Sequence, residues 1–78
     1  MKLRQIASNM TELQLDDVHV LFSYETPVAA CIMGKGFVRT AQRYSPTTTR
    51  HINKWLDGVD APEVPQATID ALVNYKGE

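Results

Sequence analysis

SPTTTRHINKWLDG, running from Ser45 to Gly58, is the stretch whose reading decides how this chain is built. Ser45 has the side chain of an N-cap, because its hydroxyl can accept from an orphan amide of a first helical turn. Pro46 follows at the first helical position, where a missing N–H costs nothing. Thr48, Ile52, Trp55, Leu56 and Val59 then recur at the spacing of one buried stripe. Arg50, Asn53, Lys54 and Asp57 fall between them and face water. Gly58 stands where a left-handed residue ends a helix. The spacing therefore predicts a helix from Pro46 to Leu56. Three consecutive threonines are poor helix formers. They either extend the cap or present hydroxyls and amides to an anion at the positive helix end.

Working outward, alternation governs the chain before this helix. Val18 to Tyr24 places Val18, Val20, Phe22 and Tyr24 on one face of a strand. Thr26-Pro27 breaks it. Val28 to Met33, VAACIM, is an uninterrupted apolar run and predicts a central strand covered on both faces. Gly34-Lys35-Gly36 reads as a hairpin loop, and Phe37 to Tyr44 as a more polar returning strand. Upstream, Thr11 to Leu15 alternates as a short strand closed by Asp16-Asp17. In residues 1–10, Leu3, Ile6, Ala7 and Met10 fall at helical spacing, which suggests a short helix or an arm. Downstream, Pro65 opens a final helix with Ile69, Leu72 and Val73 inside and Gly77 past its end, in a helical extension over residues 60–78.

These elements predict a single α+β domain over residues 1–78: a small antiparallel sheet of three to four strands with one or two helices packed on one face. Ile52, Trp55, Leu56, Ile69 and Leu72 would cover the face led by Val20, Phe22, Val28, Ala30 and Ile32. Leu21, Cys31 and Met33 would then lie on an uncovered face, which leaves room for a homodimer formed through the sheet. The composition, 44% hydrophobic and 22% charged, is that of a globular domain. No apolar run approaches spanning length and the N-terminus lacks a signal-peptide core, so a cytoplasmic protein without membrane contact is expected.

Charge is distributed unevenly. Net charge is −1, yet no acid occurs from Thr26 to Leu56, while Lys35, Arg39, Arg43, Arg50 and Lys54 all fall there. A basic middle between acidic ends suggests an anionic partner for the middle, or packing of that segment against the chain's own acids. Arg39 and Arg43 share a face at a spacing of four, as do Arg50 and Lys54 on the helix. With Thr47 and Thr48 at the helix start and Lys35 in the hairpin, they form a candidate strip of phosphate contacts. The segment lacks the interleaved exposed aromatics of a single-strand platform, because Phe37 and Tyr44 both read as core.

Catalytic patterns are missing. There is no phosphate-binding glycine loop or nucleophile elbow, and His19, Cys31 and His51 lack the spacing of zinc ligands. His51 reads as a helix-surface residue and Cys31 as a buried thiol. No enzyme activity, metal or cofactor is expected.

Two resemblances bear on function. LFSYETPVAA (Leu21 to Ala30) and YSPTTTRHINKWL (Tyr44 to Leu56) resemble the paired motifs of a family of small, largely phage-encoded domains of unknown function, over roughly Val18 to Gly58. That likeness implies a phage or prophage origin and an accessory role in the host cytosol, with no assigned activity. TTTRHINKWLDG, followed by Pro62, Ile69 and Leu72, is similar to the recognition helix of phage-repressor helix-turn-helix proteins. It requires a helix, not a strand, over Val38 to Tyr44. The function expected is non-enzymatic binding of nucleic acid through the basic strip. The alternative is a modulator that docks on a host enzyme or defence complex.

Overall fold

Four short connections between alternating segments fold the first half of the chain into a meander. In the computed structural model, which describes residues 2–7 and 9–74, the meander comprises β1 (Lys2–Ala7), β2 (Met10–Gln14), β3 (Val18–Ser23), β4 (Thr26–Ile32) and β5 (Gly36–Thr40). Each pairs antiparallel with the next. Helix α1 (Pro46–Leu56) then leads to β6 (Glu63–Val64), which pairs parallel with β5, and α2 (Gln66–Asn74) follows. The sheet is mixed, with six strands in chain order where three to four antiparallel ones were expected.

The two additional strands have separate causes. In β1, a bulge between Gln5 and Ala7 breaks the alternation. Ile6 and Ala7, adjacent in sequence, both pack into one core as a result. Leu3, Ile6, Ala7 and Met10 thereby mimic helical spacing, although residues 2–7 are neither helix nor arm. Strand β6 is two residues between Pro62 and Pro65, too short to show any period.

The helices lie on opposite faces of the sheet, not together on one. Leu21 is paired with Ala29, and the next residues, Val20 and Ala30, are paired with each other, so the two pairs point to opposite sides. Ile52 and Leu56 of α1 pack with Met10, Leu21, Val28 and Ala29. Ile69 of α2 packs with Leu13, Leu15, Val18, Val20 and Ala30, flanked by Leu72 and Val73. A second bulge, between Leu21 and Phe22 of β3 and their partners, turns both Val28 and Ala29 toward α1. Each face has its own helix, so Leu21, expected on an uncovered face, is buried beneath α1.

Strand β4 is central as expected, but it begins earlier and contains Pro27. Its carbonyl accepts from Gln66 Nε2 at 2.7 Å. The bulge lets a strand tolerate a residue with no N–H to give the ladder. Gln66 also accepts from buried Thr40 Oγ1 at 2.6 Å, so the first residue of α2 ties down β4 and β5 together. Met33 lies outside the strand and is exposed. Strand β5 ends at Thr40, and residues 41–45 form a bend with no helix, which removes the helix-turn-helix reading. The expected stop of α2 at Gly77 lies outside the described residues.

Helix α1 has the predicted bounds and cap. Ser45 is extended (φ −77°, ψ 161°), and its Oγ accepts from Thr48 N–H at 3.3 Å. The left-handed stop begins one residue before the expected Gly58, at Asp57 (φ 51°), and continues through Gly58 (φ 86°). Replacing Ser45 by Ala removes the cap acceptor and is expected to lower stability by about 1 kcal/mol. Thermal melts of wild type and Ser45→Ala measure this, and coincident melts would assign the cap to another group.

Candidate functional site

The crossover from β5 through α1 to β6 leaves a cleft at the end of β5. It has a volume of about 530 Å³ and is lined by residues 39–44, the first two turns of α1 and Glu63. Helix α1 runs back across the sheet, bringing Thr48 and Thr49 near the end of β5, Asn53 beside Arg39, and Trp55 against Phe37. Three arginines consequently line the cleft from two elements and the bend between them: Arg39 from β5, Arg43 from the bend and Arg50 from the helix. Among the described residues, none of the three is within salt-bridge distance of a carboxylate. Arg39 Nη1 donates to Asn53 Oδ1 at 3.3 Å, while its Nε is buried without an acceptor. A buried orphan donor is uncommon and costly. Glu63, opposite Arg39 in the parallel pairing, is the one acid of the cleft.

The remaining candidates separate from this group. Lys35 is in the hairpin at the far end of β5, Lys54 is in the last turn of α1, and Thr47 does not line the cleft. Thr48 does line it, but is only 6% exposed and its hydroxyl is engaged internally. Ser23 Oγ lies 2.8 Å from His51 Nδ1 and 3.2 Å from Thr48 Oγ1, which is 3.3 Å from Ser45 Oγ. One donation per hydroxyl satisfies the whole chain if His51 Nδ1–H donates to Ser23, Ser23 to Thr48, and Thr48 to Ser45. Thr49 N–H donates to the Ser45 carbonyl at 3.2 Å. Thr48 at the start of α1 thus takes part in the cap and joins the helix to β3. Ser23, 2% exposed and occupied as a donor, is not placed as a nucleophile.

Sequence reasoning missed this network, which unites the Ser23-Tyr24 and Thr48–His51 parts of the two quoted motifs. His51 is half-buried beneath Tyr24, with ring centroids 5.9 Å apart, instead of lying free on the helix surface. Cys31 is half-buried rather than buried. Tyr44, read as core, is 41% exposed at the cleft. The available signal for Tyr44 was its position, one residue before the N-cap, in a bend after the strand has ended.

A second polar group lies under the other end of α1. Glu12 of β2 is 8% exposed, accepts from Trp55 Nε1 at 3.2 Å and from Gln14 Nε2 at 3.0 Å, and lies 3.1 Å from His19 Nδ1. Burial alone would raise its pKa. The hydrogen bonds from Trp55 and Gln14, with the charges of His19 and Arg4, outweigh burial and hold the carboxyl below its ordinary value. The half-buried Trp55 is thereby pinned between Glu12 and the edge of Phe37, 5.8 Å between ring centroids. On the opposite face, an apolar groove of about 400 Å³ between β1, β2 and β3 is lined by Leu3, Leu13, Phe22 and Tyr24, with Thr11 and Glu25. Among the described residues no set of His, Cys, Asp and Glu side chains is arranged to hold a metal ion. Among the described residues no helix is long and apolar enough to cross a membrane.

This small α+β chain belongs to a family of unknown function, DUF8033, whose model matches residues 1–71. The match takes in β1 and most of α2, beyond the Val18-to-Gly58 span of the motif resemblance. No curated protein matches the chain, and no solved structure does.

Glu12 makes stability depend on acid. A carboxyl with a depressed folded-state pKa stabilises the fold above its unfolded value, here near 4.5, and that contribution is lost as pH falls through the folded value. Glu12→Gln keeps an acceptor for Trp55 but sets an amide against the donors of Gln14 and His19. It is expected to lower stability by about 1–3 kcal/mol at neutral pH. The deficit should shrink as pH falls below 4.5 and through the lowered folded-state value, where wild-type Glu12 itself becomes protonated. Urea melts of both proteins at neutral and acid pH measure the difference. A deficit independent of pH would assign the loss to packing.

Proposed function

We propose that this protein is a non-enzymatic accessory binding protein of phage or prophage origin that contacts the phosphates of nucleic acid in the cleft of Arg39, Arg43 and Arg50. The observation that carries this reading is that three arginines, free of carboxylate partners among the described residues, line one concave surface. Guanidinium is the side-chain group best matched to phosphate, through its planar fork of donors. Glu63 alone opposes an anion there. The phage assignment rests on the likeness of the two quoted segments, and a cytosolic location follows from it.

A second reading, a modulator docking on a host enzyme or defence complex, is favoured by the apolar groove. Leu3 at its rim is 69% exposed and Tyr24 is held at φ 62°, a conformation uncommon for a bulky residue. Exposed apolar surface of this kind is typical of protein contacts.

Salt separates the two. Three phosphate contacts give a log–log slope of affinity against salt of about −2 for single strands and about −3 for duplex, because each contact releases condensed counterion. Arg43→Ala is expected to weaken binding of all sequences alike and to reduce the slope by about one contact. Titration of labelled DNA and RNA, single- and double-stranded, at two salt concentrations measures both quantities. Absence of binding even at low salt would sink the nucleic-acid reading and leave protein docking. Binding indifferent to salt would remove the phosphate mechanism.

A further inference from the structure

We infer that the cleft takes a single nucleotide unit of an unpaired strand, with the phosphate on the guanidinium groups and the base stacked on Tyr44. This rests on the phosphate reading above and specifies its ligand. Tyr44 lines the same concavity as Arg39, Arg43 and Arg50, and 41% of its surface is open to solvent. Among the described residues its ring pairs with no other aromatic, whereas Phe37 is occupied by Trp55 and Tyr24 by His51. An unoccupied ring beside cationic donors is the minimal platform for an unstacked base, since every base has a π-face.

Size and shape favour a single strand over a duplex. A cleft of about 530 Å³ is within the range of sites that enclose one small molecule. A duplex presents phosphates on a convex surface and keeps its bases stacked inside, out of reach of a ring within a concavity. A flexible strand can turn one base into the cleft while its backbone follows the arginines. Tyr44 sits in the bend between β5 and α1, next to Arg43 and the N-cap, so the platform and the cations are positioned by the same two elements.

The test uses the full chain and fluorescence anisotropy with three probes: labelled oligothymidylate of about twelve nucleotides, a duplex of equal length, and labelled thymidine monophosphate. Tyr44→Ala, Tyr44→Phe and Arg43→Ala are measured beside wild type, with circular dichroism to verify folding. The single strand is expected to bind more tightly than the duplex. Tyr44→Ala should weaken it about ten-fold, the loss of one stacked base, without changing the salt slope, and Tyr44→Phe should retain wild-type affinity. Comparable binding of the monophosphate would support the same stack-and-phosphate chemistry and assign its source to a free nucleotide. Loss of affinity in Arg43→Ala without loss in Tyr44→Ala, or a duplex bound as tightly as the single strand, would overturn the stacking proposal while the phosphate site stands. No binding of any probe at low salt would overturn both.

Discussion

Two backbone hydrogen bonds hold the short strand β6 against β5: Arg39 N–H to the Pro62 carbonyl at 3.0 Å and Ala41 N–H to the Val64 carbonyl at 2.8 Å. They bracket the parallel ladder of Arg39 with Glu63 and Thr40 with Val64, and much of the architecture follows from that pairing. A parallel neighbour cannot be reached by a tight turn, so the chain must cross over one face of the sheet, and α1 makes that crossing. Once β6 is in place, the chain leaves it toward the other face, where α2 packs. One two-residue strand thus decides that the helices divide between the faces.

The division matters because a chain of this size has little core to spare. Placing both helices on one face would leave Leu21, Ala29 and Met10 against water. In the observed arrangement these three are fully buried beneath α1, and Val20 and Ala30 beneath α2. Polar ties then fix the helices in place. Ser23, Thr48 and His51 join α1 to β3, Glu12 joins Trp55 to β2, and Gln66 joins α2 to β4 and β5. Each tie satisfies a buried or half-buried polar group that would otherwise be costly.

The cleft is a by-product of the same crossover. Helix α1 begins near where β5 ends, and after Ala41 the bend must span from sheet to helix without strand pairing. Its backbone and side chains therefore rim a concavity instead of continuing the sheet. Arg39 belongs to the strand, Arg43 to the bend and Arg50 to the helix, so their sharing of one cleft depends on that geometry and not on a periodic pattern.

What the sequence determined by itself was local. Ser45, Pro46 and the stripe of Ile52, Trp55 and Leu56 specified α1 within its observed bounds, because capping and 3.6-residue periodicity act over neighbouring residues. The alternation of β3 and the apolar run of β4 were legible for the same reason. The absence of acids from Thr26 to Leu56 already marked the basic segment from which all three cleft arginines come. Only the tertiary structure decided that β1 is a strand, since its bulge hides the two-residue period, and that Glu63–Val64 pairs at all, since two residues carry no period. It also decided which face each helix covers. An apolar stripe specifies that a helix must be buried but not against which side of a sheet, and the crossover to β6 makes that choice. Thr48, expected both in the buried stripe and as a candidate anion contact, is buried, and Tyr44, expected as core, is exposed. The helix seated on β3 draws the Thr48 hydroxyl inward to Ser23, and the bend that begins after Thr40 turns Tyr44 outward into the cleft.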